Sequence, residues 1–197
     1  MKQPLAAAIV GITWVLAVTL GACSPTACTV LVRPGESIQA AIDQAPEGAV
    51  ICVGAGVWEE NLRLERELTL VGAGCEETVI KGAGLNQPAI LVQGGEQVVV
   101  RIEGLTVARA KGWQGGHGIR MTGRVQVDIC DVVIREVQDD GIQVEDMARA
   151  TIRDCTVCGS GWAGLSLWGG PRSPSVAPPA RATLGRASPC VTRPGRP

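Results

Sequence analysis

The sequence predicts an all-β fold: a parallel β-helix of about 23 residues per coil, with one short helix capping its N-terminal end. Three observations carry that prediction. First, glycines stand in register. "GIRMTGRVQVDICDVVIREVQDD" runs from Gly118 to Asp140, "GIQVEDMARATIRDCTVCGSGWA" from Gly141 to Ala163, and "GLSLWGG" begins again at Gly164, so each step is 23 residues. A fixed period in the twenties marks a chain of stacked repeats. Second, apolar residues alternate in short runs: Ile119 and Met121; Val125, Val127 and Ile129; Val132 and Ile134. The next coil repeats them as Ile142 and Val144; Ala148, Ala150 and Ile152; Cys155 and Val157. Period two means strands with one buried face, three to a coil. Each strand would pair with its equivalent one coil away, at roughly 4.8 Å. Third, "IEGLTV", "ICDVVI" and "IRDCTV" place Gly104, Asp131 and Asp154 in one slot between the second and third runs. These residue types tolerate a left-handed backbone, so the slot reads as a corner.

Composition bounds the rest. The chain has 197 residues, a net charge of −1, 26 glycines and no Tyr or Phe. That suits one domain whose core is Val, Ile, Leu and Ala. The near-neutral balance gives no electrostatic footprint for nucleic acid.

At the N-terminus, Lys2 precedes an apolar run of 16 residues, Leu5 to Leu20, and then "LGAC", Leu20 to Cys23. The run is short for a membrane span and is followed by a processing site, so residues 1–22 read as a signal peptide. "LGAC" resembles the lipobox of bacterial lipoproteins. That resemblance implies acylation of Cys23 and attachment to a membrane surface, facing the periplasm or the cell exterior. The alternative is an ordinary secreted protein.

The capping helix comes next. Ser37 stands as a cap before Ile38, Ala41, Ile42 and Ala45 on one face, and Pro46 stops the run. Such a helix can cover the exposed strands of the first coil. The stretch Val32 to Gly74 closely resembles the opening module of the pectate lyase-like right-handed β-helix superfamily, through "SIQAAIDQAP", "GVWEENLRL" and "LTLVGAG". The resemblance covers roughly residues 29–169 and implies a right-handed solenoid. It leaves the reaction open, because this architecture hosts lyases, hydrolases, esterases, epimerases and binding proteins. The expected organisation is a β-helix domain over 23–170, with the capping module at 29–74 and the coils at 75–170, about five in all. Ile102 to Ile129 spans 27 residues, so that coil carries four extra, placed in "KGWQGGH", Lys111 to His117.

Polygalacturonases of the superfamily carry an aspartate pair and "GHG". This chain has Asp139–Asp140 and Gly116–His117–Gly118, in reversed order and without "NTD" or "RIK". The pectin methylesterase strings "DFIFG" and "GRPW" are also absent. His117, Asp140 and Ala163 fill one repeat slot before Gly118, Gly141 and Gly164. They therefore read as outward-projecting turn residues, with Gly141 holding a positive φ. Adjacent Asp139 and Asp140 are expected to splay apart, whereas Asp140 and His117 can approach across one coil. These three are the weak catalytic candidates. Asp139, Asp140, Glu145 and Asp146 offer weak calcium ligands without a dedicated loop; otherwise no metal or cofactor is expected. Trp113, Trp162 and Trp168 fall near the same corner, and their faces can stack on sugar rings or pad the solenoid's edge.

Export permits disulfides. Cys52 and Cys75 are 23 residues apart and candidates to pair across neighbouring coils, with Cys28 the alternative partner of Cys52. "CTVC", Cys155 to Cys158, lacks a second pair at zinc spacing. After Gly170 come seven of the twelve prolines, five arginines and no acid. Residues 171–197 read as a disordered tail that does not pair as strands, following a coil that breaks off as in a truncated or frameshifted chain.

The functional expectation is an exported, lipid-anchored solenoid that binds or presents a polysaccharide or cell-surface glycan at the envelope without catalysis. The rivals are a polysaccharide lyase, hydrolase or esterase, and a purely structural surface protein.

Overall fold

The computed structural model describes residues 27–169 and the backbone of 181–184. Cys23 and the leader lie outside the described residues. The chain winds as a right-handed parallel β-helix, and every strand pair is parallel. One stack of strands runs β1 (Val30–Val32), β2 (Ala49–Val53), β5 (Leu68–Gly72), β7 (Ile90–Ala108), β8 (Ile119–Val137), β10 (Arg149–Arg153) and β13 (Arg181–Leu184). A second joins β3 (Gly56–Glu59) and β6 (Thr78–Lys81) to the ends of β7 and β8 and then to β11 (Thr156–Ser160). The third joins β4 (Leu62–Leu64) to the starts of β7 and β8, then β9 (Ile142–Glu145) and β12 (Leu165–Trp168). The solenoid has about six turns, one more than the five expected, because the first stack continues through β1 at one end and β13 at the other. The 19-residue β7 and β8 each run unbroken through all three stacks, because pairing between these two coils continues around the corners.

The core consists of ladders of like residues. Leu62, Ile90, Ile119, Ile142 and Leu165 stack in register on the third sheet, Ile51, Leu70, Ile102, Ile129 and Ile152 on the first, and Trp58, Ile80, Val107, Ile134 and Val157 on the second. Most are fully buried, each contributing roughly 1.5–3 kcal/mol of apolar burial. Short strands suffice because every rung packs on the one below.

The open N-terminal end is covered as the sequence predicts. Helix α1 (Ile38–Gln44) starts at the Ser37 cap and buries Ile38 and Ile42. The Glu60 carboxylate from the first coil accepts from Ile38 N at 2.8 Å and from Ser37 Oγ at 2.9 Å, satisfying donors the helix leaves free. Gln39 acts as a substitute strand: its Oε1 accepts from Arg63 N at 2.8 Å and its Nε2 donates to Arg63 O at 3.3 Å. The edge of β4 is thereby closed.

Two expectations are corrected. A disulfide joins Cys52 to Cys28, its alternative partner, with Cα atoms 5.7 Å apart, and Cys75 is a free thiol. Cys28 precedes β1 and Cys52 lies in β2, its neighbour in the first stack, whereas the loop after β5 carries Cys75 past that ladder. The tail also contributes a strand: Arg181–Leu184 pairs in register with Arg149–Ile152. Proline blocks strand pairing only where it stands, and "ARATLGRAS", residues 180–188, has none.

Candidate functional site

The third sheet turns its outer face to a groove of about 410 Å³. Its floor comes from two slots of the repeat. Arg120, Gln143 and Ser166 are register partners on β8, β9 and β12, and point outward because their neighbours Ile119, Ile142 and Leu165 point inward. His117 and Asp140 come from the corner just before these strands. The insertion Lys111–His117 forms one wall. It is tied down by Gly112 N donating to Gln138 Oε1 and Gly115 N donating to Asp139 Oδ2 at 3.0 Å.

The corner is not the solvated turn that the sequence suggests. His117 is 5 % exposed and Asp140 2 %. The insertion and the following coil cover them. Nor do Asp139 and Asp140 splay apart. Strand β8 ends at Val137 and β9 begins at Ile142, so the residues between bend and strand alternation does not apply. Both carboxylates face the imidazole: Asp139 Oδ2 is 3.6 Å from His117 Nε2 and Asp140 Oδ2 is 3.8 Å from Nδ1. The expected approach of Asp140 to His117 is thus present. Gly141 has no left-handed backbone; its need is space. A Cβ there would lie 2.3 Å from Val157 Cγ1 and 2.6 Å from Gly164 O.

Hydrogen bonding orders the cluster. Asp140 N donates to His117 Nδ1 at 3.3 Å, so that nitrogen is an acceptor and the imidazole proton sits on Nε2, toward Asp139. Burial lowers the pKa of His117, and the two aspartates oppose that shift. Asp140 accepts from Ala163 N at 3.1 Å, from Ser166 Oγ at 2.5 Å and from Gln143 Nε2 at 3.4 Å. Arg120 does not neutralise the aspartates, because Glu145 holds it at 2.8 Å. Asp146 is occupied by Thr122 Oγ1 and Gly123 N, so neither Glu145 nor Asp146 joins the aspartates as a calcium ligand.

Trp113, Trp162 and Trp168 all line this groove and are 72, 76 and 57 % exposed. Thus His117, Asp139, Asp140 and the three tryptophans form one site. Cys52 and Cys75 lie outside it. At "CTVC", Cys155 is buried, its Sγ donates to Arg153 O at 3.0 Å, and burial pushes its thiol up to about 11, so it stays protonated at neutral pH. Sequence reasoning missed Arg120, Gln143 and Ser166. Their signal was present: "HGIR", "DGIQ" and "AGLS" each place a polar residue one step past the inward apolar one.

The fold and site together define a right-handed β-helix with a groove on its third sheet. Solved structures of that architecture include pectin methylesterase PemA from Erwinia chrysanthemi, with a TM-score of 0.58 and 18 % identity over 73 % of this chain and 55 % of that one. A pectin methylesterase in complex with hexasaccharide VII gives a TM-score of 0.61 and 16 % identity over 85 % of this chain and 68 % of that one. Pectin methylesterase from carrot gives 0.58 and 15 %, over 85 % and 65 %. The likeness is one of fold, and the chain spans between 55 and 68 % of the length of these structures. No family model and no curated protein matches the sequence.

Proposed function

We propose that the protein binds a polysaccharide chain along the outer face of its third sheet, at the cell envelope, held there by lipid on Cys23. The observation that carries this reading is the three exposed tryptophans around one groove with a polar floor. Large apolar side chains gathered on a surface mark a binding site, and tryptophan presents a broad flat face for a sugar ring. The floor carries two aspartates, and among the described residues no free cation stands beside them. As the side chains stand, it repels free uronate and favours neutral or esterified sugars. That pectin methylesterases share the fold supports a polysaccharide partner.

Catalysis is the second reading, favoured by the burial of His117 and Asp140. A solvated ornament would not be held by three donors at the bottom of a groove. Asp139, at 15 % side-chain exposure, borders the groove with its Oδ2 3.6 Å from His117 Nε2, a spacing that a small closure would turn into an acid–base pair.

The test is tryptophan-fluorescence titration with neutral, methyl-esterified and free uronic acid polymers. Trp162→Ala should weaken binding of the preferred polymer about tenfold, or about 1.4 kcal/mol, with an unchanged melt. Equal binding by wild type and the variant would reject the groove. Product release by wild type, lost in Asp139→Asn, would establish the catalytic reading. Intact-mass measurement of the mature protein checks the acyl group on Cys23.

A further inference from the structure

Within the described residues, the floor of the groove holds an unresolved polar problem. Asp140 is buried, Asp139 lies beside it, and the one nearby arginine is committed to Glu145. Buried charges are normally paired with an opposite charge or bound to a metal ion. Here the nearest ionisable partner is a histidine that burial keeps toward its neutral form.

A second observation points to the same place. Gln143 is 7 % exposed and its Oε1 is buried without a hydrogen-bond partner. Its amide faces the cluster, with Nε2 3.4 Å from Asp140 Oδ2. Amide nitrogen toward the carboxylate leaves the carbonyl orphaned. Turning the amide over would set two oxygens against each other, unless a cation stood between them.

The spacing fits such a cation. One donor atom each from His117, Asp139 and Asp140 lie within 4.8 Å of one another. His117 Nε2 and Asp139 Oδ2, at 3.6 Å, are too far apart for a good hydrogen bond. Donors around a tetrahedral ion at about 2.1 Å stand roughly 3.4 Å from each other, so this pair needs almost no movement. Nε2 becomes the ligating nitrogen when the imidazole carries its proton on Nδ1 instead: the 3.3 Å bond from the Asp140 amide is then given up, and the Nδ1–H turns to Asp140 Oδ2, 3.8 Å away.

We propose that His117, Asp139, Asp140 and Gln143 form a binding site for one small divalent transition-metal ion at the floor of the groove. The donor set is one imidazole nitrogen, two carboxylates and one amide oxygen. That set suits Zn²⁺ or Mn²⁺. It is too small for Ca²⁺, which takes six to eight oxygens. The ion cancels the charge of the two aspartates and gives the Gln143 carbonyl its missing partner. The proposal stands whether or not the groove takes sugar.

The experiment is isothermal titration of chelator-treated full-length protein with ZnCl₂, MnCl₂, CaCl₂ and MgCl₂, with elemental analysis of the loaded protein. One Zn²⁺ or Mn²⁺ per chain is expected, bound at least tenfold more tightly than Ca²⁺ or Mg²⁺. Asp139→Asn, at the partly exposed edge of the site, should keep its melt and lose at least tenfold in affinity. Gln143→Leu should lose less. Cys75→Ser controls for the free thiol and should bind as wild type does. No stoichiometric uptake by folded wild-type protein, or affinity unchanged in Asp139→Asn, would overturn the proposal. So would loss of binding in Cys75→Ser. Sugar titrations on stripped and loaded protein side by side keep a failure of the ion site distinct from a failure of the sugar reading.

Discussion

Two corners of the same coil look alike in sequence and behave oppositely. The corner between the first and second stacks carries Gly104, Asp131 and Asp154 with φ of 63°, 52° and 51°, and both aspartates there are exposed. The corner before the third stack carries His117, Asp140 and Ala163, and its histidine and aspartate are buried. The first is set by backbone conformation, the second by what lies above it. A corner's exposure in a solenoid depends on its own turn and on whether a longer neighbouring coil folds over it. Here the Lys111–His117 insertion does so, donating Gly115 N to Asp139.

The largest expected effect breaks the second corner at its tightest point. In Gly141→Ala the new Cβ meets Val157 Cγ1 at 2.3 Å and the Gly164 carbonyl at 2.6 Å. Overpacking of this kind costs about 1–3 kcal/mol, and backbone on one side argues for the upper end. At the equivalent Gly164 the nearest described atom is Val157 Cγ1 at 3.7 Å, an ordinary contact. Gly164→Ala should therefore be nearly neutral. Urea unfolding of the two variants measures the difference, and equal losses would refute the account of close coil packing.

Next comes the charge at each corner. Asp140→Ala removes the acceptor for Ala163 N, Ser166 Oγ and Gln143 Nε2. Leaving buried donors unpaired should cost about 2 kcal/mol. Asp131→Gly acts in the opposite sense. It relaxes a left-handed residue, and it removes a carboxyl whose pKa is raised by the desolvation of its inner side against the coil and by Asp154 one coil away. It should be neutral or stabilising by up to about 1 kcal/mol. Thermal melts that rank the two the other way would mean the corners had been misassigned.

The contrast also separates what the sequence could reveal from what it could not. The coils, the left-handed slot, the Ser37 cap and the helix over the first coil were legible because each follows from local periodicity, or from a residue type that only a few conformations suit. The groove was legible only in pieces. The tryptophans and the His117–Asp140 approach could be placed from the 23-residue register. Burial of that pair could not, because it depends on the path of a four-residue insertion. Gln143 and Ser166 went unread because a polar residue on an outward strand position looks like ordinary solvated surface until something covers it. Cys75 and the 181–184 strand show the same limit: register can be counted, but the route of a loop cannot.

The smallest expected effect concerns pH. Burial holds the pKa of His117 below its ordinary value, against the pull of Asp139 and Asp140. On acidification the unfolded chain therefore takes up a proton at this residue before the folded chain does. The stability held by the neutral imidazole is complete above the unfolded value of about 6.5, and is lost as pH falls through the lower folded value. Acid also strips stability from carboxylates elsewhere, so the wild-type melt alone cannot isolate the effect. His117→Gln can, in chelator-treated protein. Glutamine keeps a polar group in the slot and does not titrate. The melting-temperature gap between wild type and His117→Gln should be widest above about pH 7 and narrow toward pH 5. A gap that widened on acidification would mean that the folded protein holds His117 charged between the two aspartates, and the corner would then be an ion triad rather than a neutral imidazole under a lid.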